Sequence, residues 1–377
     1  MVGEKTEETK RYREIFDTLR LLDKKPKGLR NYTILTTTRC NARCAYCYEA
    51  GVLQEPMTPE TAEAVAEFIL RTRDPEAETL RFMWFGGEPL MGQEVMDIST
   101  GRLNQEKVPF ISTVITNGYL ADDEVVKKAI GPWHVRNVQV TLDGTEEKYN
   151  RVKDFIDCEG SAFVRVLSNV RRLCEAKIPL YIRINAAPGD LEDAYRLADY
   201  LKAEFGVGFL AGVYVNNLFM TGEEPISYGE PPQSVQTYLE EVETLQKTIR
   251  SEGLQDPQWL ENKMDEPMAG FKTSLCRASS MASSLVINQA GRLTNCQHCL
   301  PGDFFGDVWK GIVKDENWSR INRPPVKEAC QDCPMLPSCT NQSAYCPNLL
   351  RWCGWDMRRK LRLALDRLWE KEKGWEA

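Results

Sequence analysis

The chain reads as an α/β protein, a partial (β/α)6 TIM-like barrel followed by a cysteine-rich C-terminal domain. Three observations predict this. From Asn31 onward, β-rich runs alternate with helix-periodic ones, the pattern of a parallel sheet flanked by helices. Most of the β-rich runs end in glycine or polar motifs, and in such folds ligands bind at the carboxyl ends of the strands. The third is cysteine usage: of thirteen cysteines, eight lie from Cys276 onward.

Residues 1–30 are charged, with a helical run from Tyr12 to Leu22 that Pro26 and Gly28 break, and they read as a helix capping the barrel. Strand one covers 32–38 and runs into Cys40. Helix one opens at Thr58, an N-cap, with Pro59 in the first helical position. Thr61 stands where a full capping box would place a glutamate or glutamine. Ala64, Val65, Phe68 and Ile69 give this helix an apolar face. Strand two, 80–85, ends in Gly86-Gly87-Glu88-Pro89, and strand three, 110–115, in Thr116-Asn117-Gly118. Strand four, 135–142, ends in Asp143-Gly144. A helix near 162–176 precedes strand five, 180–185, and strand six covers 209–215. Gly, Pro and polar residues at 221–235 mark a boundary before an amphipathic helix at 236–251. The expected division is a helical segment at 1–30, the partial barrel at 31–220, a helical linker at 221–275, the cysteine-rich domain at 276–356 and a C-terminal helix at 357–377.

The 48 lysines and arginines against 55 acidic residues give a net charge of −7. A nucleic-acid groove would leave a basic footprint, so no nucleic-acid partner is expected. Met1 to Thr6 lacks the apolar core of a signal peptide, and no apolar run is long enough to span a bilayer. The expectation is a cytoplasmic protein without a membrane partner. Thirteen cysteines in a cytosolic chain point to metal or redox chemistry rather than disulfides, and two histidines leave cysteine as the main soft ligand.

Cys40, Cys44 and Cys47 place three thiolates within eight residues. Soft thiolates select zinc, copper(I) or iron–sulfur clusters. A closed zinc site needs four ligands, and no nearby cysteine or histidine supplies the fourth. A four-iron cluster held by three cysteines leaves one iron open. A zinc knuckle or unrelated buried thiols is the plainer alternative. Glycines at 86 and 87 let backbone approach a ligand, and the Glu88 carboxylate can accept hydrogen bonds from an ammonium group; a tight turn is the other reading. Asn117, Thr141 and Asp143 are strand-end residues that serve turns as readily as ligands. Cys174, among Val170, Leu173 and Ile178, reads as a buried thiol, and Cys158 receives no role.

The Cys40-x3-Cys44-x2-Cys47 spacing resembles the signature of the radical S-adenosylmethionine (radical SAM) superfamily. The resemblance implies a (β/α)6 partial barrel whose open iron chelates the methionine part of S-adenosylmethionine, followed by reductive cleavage to a 5′-deoxyadenosyl radical. Gly86-Gly87-Glu88 resembles the family's motif for the methionine amino group. The segment through Thr141, Asp143 and Tyr149-Asn150-Arg151 resembles peptide-modifying members, in which a strand-four hydroxyl and an arginine hold the cofactor's carboxylate and ribose. Arg151 and Arg183 are both candidates for that arginine. Tyr46 resembles the aromatic residue beside the adenine, with packing against the barrel as its alternative.

From Cys276 the chain resembles the SPASM extension, which implies two auxiliary clusters. Gly291-x4-Cys296 and Cys330-x2-Cys333-x5-Cys339 fit its elements. Ser343 stands where the family often has a further cysteine, and Cys346 takes that place. Transferred residue by residue, one cluster uses Cys330, Cys333, Cys339 and Cys353. The other uses Cys276, Cys296 and Cys346, with Cys299 as fourth ligand; zinc in one or both sites is the alternative. The Arg, Trp and Lys residues near 351–360 read as a solvated helical face. Three four-iron four-sulfur clusters and S-adenosylmethionine are therefore the implied cofactors.

The implied activity is that of a maturase for a ribosomally made peptide, closing a thioether or carbon–carbon crosslink. Anaerobic sulfatase maturation to formylglycine is the nearest alternative. In that family an aspartate near the auxiliary cysteines acts as base; here Gln297 follows Cys296, and Asp303 is the nearest acid. Dehydrogenation of a small alcohol is a third enzymatic reading, and an iron–sulfur electron carrier is the non-enzymatic one. The implied partners are a peptide substrate and a reductase such as flavodoxin or ferredoxin. Since residues 1–30 leave no room for a winged-helix domain, a leader would be bound either by a separate leader-binding protein or by the barrel and the 221–275 region.

Overall fold

The computed structural model describes residues 27–47, 49–206, 210–218, 232–254, 283–297 and 304–318. Six strands, β1 (Asn31–Thr37), β2 (Leu80–Gly86), β3 (Phe110–Thr116), β4 (Val135–Thr141), β5 (Leu180–Ala186) and β6 (Gly212–Asn217), stand side by side in chain order. Each is parallel to the next. Parallel neighbours require crossovers, and helices supply them: α1 (Pro59–Thr72), α2 (Gln93–Gln105), α3 (Asp123–Ile130), α4 (Glu146–Lys153), α5 (Ala162–Glu175) and α6 (Leu191–Phe205). A seventh helix, α7 (Gln233–Ser251), follows β6. Beyond β1 the sheet is extended by β7 (Ser284–Ile287), parallel to it, and β8 (Leu293–Thr294), antiparallel to β7. A small antiparallel pair, β9 (Gly306–Asp307) and β10 (Gly311–Ile312), completes the described strands.

The expected α/β architecture is therefore present. Strand six runs from Gly212 to Asn217 rather than over 209–215. The helical run at 12–22, the helix at 357–377 and the 221–235 boundary as far as 231 lie outside the described residues, and α7 opens at Gln233, inside that boundary, rather than at 236. Thr58 caps α1 as its sequence predicts, its side chain accepting from the Thr61 N–H at 3.2 Å.

Period two along the strands sorts their side chains. Phe110, Val114, Leu180, Ile182 and Ile184 are buried, whereas Ile111, Thr113, Tyr181 and Arg183 between them are half-buried. The buried set meets the apolar stripes of the helices, among them Phe68, Ile69, Val166, Val170 and Leu201. The half-buried set lines the concave inner face. Tyr214 on β6 donates to Gln139 on β4 at 2.6 Å, reaching across β5. Among the described residues no helix is long and apolar enough to cross a membrane.

Candidate functional site

A parallel sheet brings all its carboxyl ends to one edge. Here that edge collects the cysteine loop after β1, Gly86 to Glu88 after β2, Asn117 after β3, Thr141 and Asp143 at the end of β4, and Asn185 on β5. Gly87 N donates to Thr37 O at 3.0 Å, and Glu88 N to Arg39 O at 2.9 Å. A Cβ on Gly86 would lie 2.2 Å from Thr37 O, and one on Gly87 2.4 Å from Arg39 O; Gly86 also has φ +128°. The sequence suggested glycines giving a ligand room. The close approach in the structure is to the backbone that leads into Cys40, so the second motif fixes the first.

Glu88 is fully buried. Its Oε1 accepts from Thr116 Oγ1 at 2.7 Å and Leu90 N at 3.0 Å, and its Oε2 from Asn117 N at 2.7 Å. Burial pushes the carboxyl up, and these donors pull it back. A carboxylate offers about four acceptor positions, so one stays open for a further donor.

The Tyr46 hydroxyl donates to Asp143 Oδ2 and accepts from Lys153 Nζ at 2.8 Å and Asn185 Nδ2 at 3.2 Å. Lys153 Nζ also lies 2.8 Å from Asp143 Oδ2, with the two side chains 4% and 1% exposed. Asp143 Oδ1 accepts from Asn185 N at 3.0 Å. Burial works against the Lys153 ammonium, but Asp143, together with Cys44 and Tyr149, more than compensates and raises it overall. Burial, and then the Asp143 charge, push the Tyr46 phenol up.

Sequence reasoning missed Lys153 and offered Arg151. On α4 the two are about 200° apart. Arg151 is on the outer face, 69% exposed beside Glu147, while Lys153 turns inward with Tyr149 four residues before it. The Tyr149–Lys153 spacing, one helical turn, was the signal available. Arg183, the other candidate, stands opposite Thr141 in register, its Nε donating to Asn185 Oδ1 at 2.9 Å. The structure brings Arg183 to the site and leaves Arg151 outside it.

Two variants separate the parts of this network. Tyr46→Phe removes one hydroxyl and should lower the unfolding free energy by about 1–3 kcal/mol. Lys153→Met strands the Asp143 carboxylate and should cost about 3–5 kcal/mol. Urea midpoints at pH 7 measure both, and equal losses would contradict the pairing.

The cysteine loop docks on the end of α4. Arg43 N donates to Lys153 O at 2.9 Å, Ala45 N to Val152 O at 3.1 Å, and Ile156 N to Asn41 O at 2.9 Å. Cys40, Cys44 and Cys47 are free thiols of intermediate exposure. Burial pushes Cys40 up to about 12 and raises Cys44 and Cys47, and nearby sulfurs add to the shifts of Cys40 and Cys44. Such a trio is suited to cationic irons, which deprotonate coordinating thiols outright. In a cubane each thiolate takes a different iron, so the three sulfurs need not converge. Among the described residues no group of three metal-ligating side chains gathers on one ion position. The donor set fits a four-iron cluster.

Cys276, Cys299, Asp303, Cys330, Cys333, Cys339, Cys346 and Cys353 lie outside the described residues. Cys296 follows β8, half-buried. Gly291, in the turn between β7 and β8, has φ +70°, and a Cβ there would meet Val308 Cγ2 at 2.9 Å.

Residues 34–201 match the family model described as the Radical SAM superfamily. This stretch is a radical SAM domain. It takes in the three cysteines, Glu88, the Tyr46–Asp143–Lys153 network and Arg183. The chain is similar to the "Probable GTP 3',8-cyclase" of Methanocaldococcus jannaschii, 26% identical over 186 residues that cover 48% of this chain and 57% of that protein. The chain spans about half the length of the curated relatives it matches. Among solved structures, native anSMEcpe with bound AdoMet gives a TM-score of 0.68 at 15% identity, covering 90% of this chain and 98% of that one. Streptococcus suis SuiB bound to S-adenosylmethionine gives 0.60 at 16% identity, covering 85% and 73%. At these identities the likeness is one of fold.

Proposed function

We propose that this chain is a radical SAM peptide maturase, an oxidoreductase that installs a thioether or carbon–carbon crosslink in a ribosomally made peptide. The observation that carries the reading is the junction at the sheet edge: three free thiols on a loop pinned to Gly87 and Glu88 on one side and to α4 on the other. Bound there, the cluster and S-adenosylmethionine supply an electron and a carbon-centred radical able to take a hydrogen atom.

The chain's own residues bind and orient. The backbone of Gly86 and Gly87 would meet the ammonium of the cofactor's methionine part, with the negative charge of the buried Glu88 carboxylate behind it. Thr141 and Arg183 would hold the cofactor's polar end, while Asn117, whose amide is spent on Tyr119 N and Asn41 Oδ1, would keep the cysteine loop in place together with Tyr46 and Asp143. Holding a substrate C–H in near-attack geometry is the protein's part of the chemistry. The inner face offers one wall of Gln139, Arg183, Asn185, Tyr214 and Asn216, already linked by hydrogen bonds, for the amides of a peptide. Structures of SuiB with its precursor peptide and of anSMEcpe with a peptide support a peptide partner. The two auxiliary clusters on the C-terminal cysteines, a flavodoxin- or ferredoxin-type reductase and a separate leader-binding protein belong to the same reading. Formylglycine formation is the second reading, supported by the fold likeness to anSMEcpe; Gln297, an amide where a base is needed, weighs against it.

The test is anaerobic incubation of reconstituted protein with dithionite, S-adenosylmethionine and a short peptide encoded beside it. The expected result is 5′-deoxyadenosine together with a peptide that has lost two hydrogens. Cofactor cleavage with no change in any such peptide would end the maturase reading, and an aldehyde on a sulfatase-derived cysteine peptide would put the second reading first.

A further inference from the structure

One buried donor in the cysteine loop has no acceptor. Asn41 directly follows Cys40, and its side-chain Nδ2 is shut off from solvent without a hydrogen-bond partner among the described residues. The orientation of that amide is not free. The Tyr119 backbone N–H is a donor and nothing else, so Asn117 Oδ1, 3.0 Å away, is its acceptor. Asn117 must then present Nδ2 to Asn41, which it does at 2.7 Å, and the atom receiving that bond is Asn41 Oδ1. The other end of the Asn41 amide is therefore a committed N–H donor. Its backbone is held as well, the carbonyl accepting from Ile156 N at 2.9 Å.

Native proteins pair nearly all their buried donors, and one left unmade is costly. A donor aimed by a chain of three residues, starting from a backbone N–H and ending beside a cluster ligand, has a purpose in the loaded protein. We infer that Asn41 is a positioning residue whose amide N–H hydrogen-bonds an electron-rich acceptor brought in at the Cys40 loop. That acceptor is a sulfur of the cluster or a carboxylate or ribose oxygen of S-adenosylmethionine. Asn117 is the residue that aims it. The inference rests on the reading that Cys40, Cys44 and Cys47 hold the cluster. Hydrogen bonds to cluster sulfurs help to set the reduction potential, so the two sources of acceptor predict different observables.

The experiment uses full-length reconstituted Asn41→Leu and Asn117→Ala, each checked for iron content. Two quantities are measured: the midpoint of the cluster whose electron paramagnetic resonance signal changes on adding S-adenosylmethionine, and the equilibrium affinity for S-adenosylmethionine itself. If the acceptor is a sulfur, Asn41→Leu makes reduction about tenfold less favourable, about 59 mV for a one-electron couple, and leaves the affinity unchanged. If the acceptor is on the cofactor, the affinity falls about tenfold and the midpoint stays. Asn117→Ala adds no charge but frees the amide to turn, so it should move the same quantity in the same direction by a smaller factor. Should Asn41→Leu fail to retain iron, Asn117→Ala carries the test alone. Wild-type midpoint and affinity in an iron-loaded variant would overturn the inference and point to an ordered water as the partner. Absence of iron from the wild-type loop would instead overturn the cluster reading beneath it.

Discussion

Replacing Cys44 by alanine should abolish cleavage of S-adenosylmethionine and remove about four irons per chain, one cluster's worth. The size of the effect follows from comparison with milder changes. Removing a group that merely orients a metal ligand costs about 10–100-fold in affinity or activity, so losing a ligand itself should exceed 100-fold. Cys174→Ala is the internal control. That thiol lies on α5, partly buried against the core, where burial pushes it up to about 12. Its loss should leave iron and cleavage intact. Iron counts by colorimetric assay and 5′-deoxyadenosine by chromatography decide the matter. Wild-type cleavage in Cys44→Ala would remove the cluster from this loop.

Much of the fold was legible because its signals are local. Six β-rich runs, three of them ending in Gly-Gly-Glu, Thr-Asn-Gly and Asp-Gly, needed only alternation and turn chemistry to be seen, and parallel order followed from the helices between them. Thr58 and Pro59 announced the start of α1 in the same way. The candidate site was legible as a set of strand ends, because a parallel sheet gathers these at one edge whatever the details.

What could not be read was partnership across the sheet edge. Lys153 is a basic residue in a charged helix, and only the docking of α4 on the cysteine loop turns it, rather than Arg151, toward Tyr46 and Asp143. Glu88 read as a ligand group with a free carboxylate, yet three of its acceptor positions are filled by Leu90, two residues on, and by Thr116 and Asn117, which chain position alone does not place beside it. Asn41 carried no signal at all. Its unpaired N–H exists only because Asn117 and Tyr119 fix the direction of its amide. In each case a deciding neighbour lies between 28 and 107 residues away, and the register of β1 to β5 brings it near.

The glycines after β2 yield the sharpest stability prediction. Gly86 combines φ +128° with backbone only 2.2 Å from where a Cβ would sit, and the atom met is Thr37 O, which cannot rotate away. Gly86→Ala must therefore push the exits of β1 and β2 apart, breaking the Gly87 N to Thr37 O bond and displacing the segment that leads to Cys40. A loss above about 4 kcal/mol belongs to this class of change, together with reduced iron retention. Gly51→Ala is the calibration, because Gly51 has φ +83° but nothing within 4 Å. It isolates the conformational cost, about 1–2 kcal/mol for an L-residue in left-handed backbone. Urea unfolding of both variants tests the difference. If Gly86→Ala were no worse than Gly51→Ala, the close approach of the two strand exits would be wrong. The iron lost from Gly86→Ala, set beside an unchanged Gly51→Ala, then measures how far the cysteine loop depends on that approach for its shape.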